Sequence, residues 1–301
     1  MKDNALPFRV WCAIGFTVFV WSSAFIGIRI GLQGYDPGSL ALLRFLIASV
    51  GALFLYVFLS KRNKPALRDI VPIFSLGAIG IGLYNIGLNY GEVTIHAGTA
   101  SFILSQIPVV VGLLAAWFLK EKMGIKHWIG LGVSIIGVGL ISLSHDEGLN
   151  FNLGILYLLL AVLCGGIYAI LTKKLTYKYP PIVLTAFAMW SGTIILLPYL
   201  PRLIHEMQQA SPASTGAAVY LGFVPAVLGY LGWSYVLRFI SASRASSFLY
   251  LMPVVATILG WWILGEVPKL LALIGGVVAL MGAVIVNQKK PINERVLEKS
   301  A

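Results

Sequence analysis

The feature that most constrains this chain is that it repeats itself at a fixed distance. Shifting residues 87–137 forward by 145 positions (253 − 108) lays them on 232–282 without a gap. Gly87 meets Gly232, Tyr90 meets Tyr235, Ala97 meets Ala242, and Ala100-Ser101 meets Ala245-Ser246. Pro108-Val109-Val110 meets Pro253-Val254-Val255, Trp117 meets Trp262, Glu121 meets Glu266, and Gly130 meets Gly275. Shared glycine content alone would not put tryptophans, prolines and glutamates in register. Duplication of an apolar unit is the pattern of secondary transporters, whose site lies between the two copies.

Both copies are membrane-type sequence. Only 11% of the 301 residues are charged and 58% are hydrophobic, where a soluble chain carries roughly 25% charged residues. Too few charges remain to cover a water-facing surface, so lipid is the expected solvent. The net charge of +11 does not point to nucleic acid, because the basic residues sit in short clusters between apolar runs. Cys12 and Cys164 both lie inside such runs and read as packing thiols rather than a disulfide or a metal site. No CxxC, HExxH or phosphate-binding glycine loop occurs. Lys2 and Arg9 precede the first run as in a signal peptide, but nine further runs follow, and it reads as an uncleaved first span.

Ten apolar runs fall at about 11–30, 38–59, 70–90, 97–118, 126–144, 153–172, 182–200, 216–238, 245–264 and 269–287, each near the roughly 20 residues a spanning helix needs. With the N-terminus inside, 18 Lys and Arg fall in cytoplasmic segments and 3 (Arg29, Arg202, Lys269) on the other side, with Arg44 within a span. That asymmetry predicts both termini in the cytoplasm and a basic face lying against anionic headgroups. Five spans per half is an odd number, so the second half enters the membrane from the opposite side. The expected fold is all-α, ten transmembrane helices in two five-helix inverted-topology repeats around a central cavity. The repeats are 1–147 and 148–290, followed by a cytoplasmic tail, 291–301.

Certain segments carry a family resemblance. Trp21-Ser22-Ser23-Ala24-Phe25, Pro37 followed by Leu42-Leu43-Arg44-Phe45, and the run from Ala97 through Pro108 to Trp117-Phe118-Leu119-Lys120-Glu121 resemble the EamA repeat, as does Ala242 through Pro253 to Gly265-Glu266. The chain is similar to ten-helix members of the drug/metabolite transporter superfamily, and within it to the bacterial YddG-type exporters of aromatic and other neutral amino acids. The second half departs from the pattern: Phe187-Ala188-Met189-Trp190 stands where the first has Leu-Leu-Arg-Phe. The resemblance implies a multi-pass inner-membrane exporter, monomeric, with a small-molecule substrate and lipid as its surroundings, no cofactor and no nucleic-acid partner.

Charges are expensive at the bilayer midplane, so amides, hydroxyls, aromatics and helix ends are the expected recognition groups. Tyr84, Asn85 and Asn89 occupy the third span, with the two carboxamides one turn apart. Two readings stand for them, a cavity face or hydrogen bonds between helices. Ser105 and Gln106 precede Pro108, whose ring removes a backbone donor and frees a carbonyl near Leu104. Tyr250 matches Ser105 in the second copy, and Pro108 and Pro253 suggest paired gating helices. Trp21 lies mid-span, away from the interfacial belt, and Tyr168 in the sixth span is its expected opposite wall. The resemblance places the first, third and sixth spans around the cavity. Trp190, Tyr230, Trp233 and Tyr235 are further aromatic candidates. Arg44 either meets a solute carboxylate or serves structure or gating, and the latter is favoured.

Glu92, Glu121 and Glu266 fall at span ends and His96 begins the fourth span, so no carboxylate is placed at a span centre. Proton-coupled exporters generally use one. The expectation is gradient-driven uniport, with weak coupling through Glu92 or His96 as the alternative. A drug exporter would show a mid-membrane anionic site, and a nucleotide-sugar carrier more than one cavity cation. An enzyme would show clustered acid/base or metal-binding residues, and the four histidines are scattered.

Overall fold

The computed structural model describes residues 6–59, 64–95, 97–118, 124–143, 153–265 and 270–287. Among them every regular element is a helix and there is no strand. In hydrocarbon no water satisfies a backbone N–H or C=O, and a helix closes its own hydrogen bonds. Seven stretches are long and apolar enough to cross a membrane: Phe8–Gly31, Pro37–Phe58, Leu67–Thr94, Leu153–Leu175, Pro181–Met207, Pro212–Phe239 and Ala242–Ile263. Shorter apolar helices run over Ile107–Phe118, Ile125–Gly137 and Leu273–Gly282.

The first two helices, α1 (Phe8–Gly31) and α2 (Pro37–Leu59), are continuous. The third stretch is not a plain α-helix. It runs as α3 (Ile70–Gly77), a π-helical segment (Ala78–Leu83) and α4 (Tyr84–Thr94). The expected fourth run is broken at Ser105-Gln106 into α5 (Ala97–Leu104) and α6 (Ile107–Phe118). Then come α7 (Ile125–Leu143), α8 (Leu153–Leu175), α9 (Pro181–Leu196) and the short α10 (Leu200–Met207). The eighth run repeats the third, as α11 (Pro212–Leu221), a π segment (Gly222–Gly229) and α12 (Tyr230–Phe239). The ninth is α13 (Ala242–Ser247), a 3-10 turn (Phe248–Leu251) and α14 (Met252–Leu264), and α15 (Leu270–Asn287) closes the described chain.

Shifting the first π segment by 145 places it at 223–228, inside the second. The repeat therefore extends from residue type to backbone irregularity. The two prolines fit the same register but do not kink a continuous helix. Each is the second residue of a new helix, α6 or α14, where its missing N–H would have had no partner in any case. The chain leaves α geometry just before each of them.

Helices of one half pack on helices of the other: α1 on α11, α12 and α14, α2 on α9, and α4 and α6 on α8. Glycines permit the closest approaches. A Cβ on Gly77 in α3 would stand 2.0 Å from the Ala188 carbonyl of α9. The outward faces are apolar: Trp117 and Trp262, paired by the repeat, are 78% and 82% exposed, and Phe58, Leu163 and Val277 are exposed as well. A helix apolar on all sides suits a bundle whose outer face meets lipid.

Candidate functional site

Where the halves meet, α1, α2, α8, α12 and the first π segment surround a central cavity. Its walls include Trp21, Phe25, Arg44, Gly80, Tyr84, Leu88, Ile107, Tyr168, Tyr230, Trp233, Leu249 and Met252. It offers about 50 Å³ to the centres of water-sized molecules. That is room for a few waters, at roughly 10–15 Å³ each, and not for an aromatic amino acid. The aromatic walls rest on one another instead. Tyr230 is the hub: its ring centroid lies 5.5 Å from Trp21, 5.4 Å from Tyr168 and 6.3 Å from Phe45, all edge-to-face. Trp233 lies 5.4 Å from Trp21. Such contacts are worth about 0.5–1.5 kcal/mol each beyond the area they bury.

The two π segments hold these aromatics. Trp21 donates from Nε1 to the carbonyl of Pro225 at 3.0 Å, and Tyr230 donates from its hydroxyl to the carbonyl of Gly80 at 3.4 Å. Pro225 and Gly80 are 145 positions apart, so equivalent carbonyls in the two halves each take a cavity aromatic. A π turn widens the helix and turns backbone acceptors outward, and such turns recur at functional sites. Gly80 has a second role: a Cβ there would stand 2.1 Å from Cδ2 of Tyr168. The absence of a side chain lets Tyr168 pack directly against the helix at this point.

The sequence expectations divide. Trp21, Tyr84 and Tyr168 line the cavity, and so do Tyr230 and Trp233. Asn85 and Asn89 do not. Asn85 donates to the Ile81 carbonyl at 2.8 Å and its Oδ1 accepts from Arg44 Nη1 at 3.0 Å, while Asn89 donates to the Pro37 carbonyl at 2.9 Å. Both make contacts between helices, because the face they share turns toward α2. Ser105, Gln106 and Tyr250 are also absent from the wall. Ser105 and Tyr250 are buried and Gln106 is half-buried. The break before Pro108 turns Ser105 and Gln106 aside and presents Ile107 instead. Pro108 and Pro253 are adjacent in the chain to the wall residues Ile107 and Met252 and do not line the cavity themselves.

Arg44, expected in a structural or gating role, lines the cavity. It is 3% exposed. Its Nη1 is held by Asn85, its Nε is buried without a hydrogen-bond partner, and its guanidinium carbon lies 5.2 Å from the Phe45 ring centroid.

Glu92 falls at the end of α4 as the sequence reading placed it, but it is fully buried rather than at a wet surface. Neither carboxylate oxygen has a hydrogen-bond partner. It adjoins a second, more open cavity of about 710 Å³ beside the α1–α2 turn, with Arg29, Asp36, Arg202 and Glu206 around it. There Arg202 pairs with Asp36 at 3.0 Å and with Glu206 at 2.8 Å. His96, Glu121, Glu266 and the 291–301 tail lie outside the described residues.

Comparison with known proteins gives the family. The profile of the EamA-like transporter family matches residues 10–143 and again 152–288. A Bacillus subtilis (strain 168) protein named "Uncharacterized transporter YdfC" is 42% identical over 263 residues, covering 87% of this chain and 86% of the relative. A "Probable terminal-alkyne amino-acid exporter" of Streptantibioticus cattleyicolor is 38% identical over 280 residues, 93% of each chain. A solved crystal structure matches with a TM-score of 0.75 at 15% identity, covering 94% of this chain and 97% of the other, which speaks to fold alone. The chain is an integral membrane transporter rather than an enzyme, and it belongs to the EamA-like transporter family.

Proposed function

We propose that the protein exports amino acids, aromatic and other neutral ones, across the bacterial inner membrane by alternating access. The observation that carries this reading is the cavity between the halves, walled by Trp21, Tyr84, Tyr168, Tyr230 and Trp233. Aromatic faces give a side chain contact area without fixing its shape, and broad neutral specificity follows. The relative named as a probable amino-acid exporter supports the substrate class. The repeats, 1–147 and 148–290, act as inverted five-helix units with both termini cytoplasmic, each supplying the helices that close one side. The protein works as a monomer, without a cofactor.

Transport runs down the solute gradient. Among the described residues no carboxylate lines the central cavity, so proton binding is not tied to the solute there. A second reading, proton-coupled export, rests on the buried Glu92. Reconstituted protein loaded with each of the twenty amino acids and a few cationic drugs tests the first reading. Efflux of phenylalanine and other neutral residues is expected. Efflux confined to drugs or to other polar metabolites overturns it.

A further inference from the structure

The central cavity holds one permanent positive charge and nothing of opposite sign. Arg44 is the sole ionisable Arg, Lys, His, Asp or Glu among the described residues that line it. A guanidinium does not lose its proton under working conditions, and burying one is costly unless it is paired. Here the pairing is incomplete. Asn85, a neutral amide, holds Nη1, and the buried Nε donates to nothing. Glu92 adjoins the other cavity and makes no hydrogen bond to the guanidinium. Asn85 fixes one end of the planar fork, and the Nε edge, the edge that meets a carboxylate side-on, is closed off in this state without a partner.

The chemistry of the walls completes the argument. A solute ammonium finds no carboxylate in the cavity and is repelled by Arg44. Aromatic faces attract cations modestly, and they hold an uncharged ring equally well. An amino acid would therefore be held by its carboxylate and its side chain, with its ammonium left without a partner of opposite charge.

We infer that the site recognises amphipathic carboxylates, through Arg44 and the aromatic wall, and that the α-ammonium of an amino acid is dispensable. The inference rests on the exporter reading above and widens its substrate class to acids with an apolar or aromatic body and no amine. It also excludes cationic amines.

Three probes that share one ring separate the groups: L-phenylalanine, 3-phenylpropanoate (no ammonium) and phenethylamine (no carboxylate). Binding is read in detergent, by competition against labelled L-phenylalanine and by the thermal shift each probe gives alone, which avoids leakage of the weak acid through a bilayer. 3-Phenylpropanoate is expected to bind within about tenfold of phenylalanine. Phenethylamine is expected to bind at least tenfold more weakly, the scale of one lost charge-assisted hydrogen bond. Arg44→Gln should weaken both carboxylates tenfold or more and not weaken phenethylamine, and Arg44→Lys should recover part of the loss. Phenethylamine binding as well as 3-phenylpropanoate in the unaltered protein overturns the inference, whether or not the Arg44 variants fold. If 3-phenylpropanoate binds and phenylalanine does not, the carboxylate inference stands and the amino-acid reading falls. If phenylalanine and phenethylamine bind alike and 3-phenylpropanoate does not, the reverse holds.

Discussion

Lys173, 6% exposed, donates from Nζ to the carbonyl of Leu237 at 2.8 Å, and to that of Ile240 at the same distance. Arg29 makes the matching contact in the first half, from Nη1 to the carbonyl of Glu92 at 3.1 Å. Positions 92 and 237 are 145 apart, so a cation near the end of each half's first helix caps the end of that half's interrupted third helix. Cations suit helix C-termini, where carbonyls lack partners and the dipole is negative. Lys173→Met leaves two carbonyls without this donor. We expect a loss of about 1.5–3 kcal/mol, read as a lower melting temperature in detergent, together with slower efflux. An unchanged melting temperature would show that the contact adds nothing to the fold.

Gly80 and Tyr168 fit together too closely for any other residue at position 80. Gly80→Ala places a methyl 2.1 Å from Cδ2 and 2.5 Å from Cβ of Tyr168. Cβ is fixed to the α8 backbone, so the ring cannot simply swing aside and the helices must separate. Transport should fall about tenfold or more, the scale of a geometric error of around an ångström in a working site. Gly132→Ala in α7 is the control, since a Cβ there meets nothing within 4 Å. It should transport normally.

Trp21 has two separable contributions, a wall and a hydrogen bond. Trp21→Phe keeps an aromatic face toward Tyr230 and Trp233 and loses the bond to Pro225. It should cost about 1 kcal/mol, near fivefold in efflux rate. Trp21→Ala removes the wall as well and should cost tenfold or more, at equal membrane abundance. Equal rates for the two variants would assign the effect to the hydrogen bond alone.

The repeat was legible because residues of distinctive type recur at one spacing, and the helical class because charge is so scarce. The aromatic wall was legible in Trp21, Tyr84 and Tyr168, whose size mid-span invites explanation. The roles of Asn85 and Arg44 were not, and the cause is geometric. A π turn between Ala78 and Leu83 shifts the phase of every later residue in that stretch. Spacing shows that Asn85 and Asn89 share a face, but not that this face meets α2. Arg44 follows from that packing, because Asn85 holds it at the cavity. The break at Ser105-Gln106 has the same effect: Pro108 signals an interruption, and only the packed helix shows that Ile107 takes the wall position. Gly80, with Gly77, Gly82 and Gly87, reads from the sequence as a small face for close helix approach, but only the packed helices name Tyr168 as its partner.

The proposed orientation rests on the Lys and Arg count and would put Tyr177 in the cytoplasm and Gln209 outside. Both are exposed, in the α8–α9 and α10–α11 connections. With Cys12 and Cys164 replaced, single cysteines at 177 and 209 should react with an impermeant reagent from opposite sides. Labelling of both from one side would refute the proposed topology.

Glu92 decides between uniport and proton coupling. Its carboxylate is buried with no hydrogen bond, and Arg29 donates to its backbone carbonyl. Asp36, Arg202 and Glu206 share the neighbouring cavity. Among the described residues the solute cavity has no carboxylate to link proton and solute binding. A coupled carrier must bind proton and solute in one mutually dependent cycle. In the proposed uniport Glu92 therefore carries no proton across the membrane. In vesicles with equal phenylalanine on both sides, an imposed pH gradient should drive no accumulation. Glu92→Gln removes the ionisable carboxyl group at the buried end of α4 and should leave exchange running down the solute gradient, with no pH gradient needed. Accumulation driven by the pH gradient in the unaltered protein, and abolished by Glu92→Gln, would make the protein a proton-coupled exporter with Glu92 as its proton site.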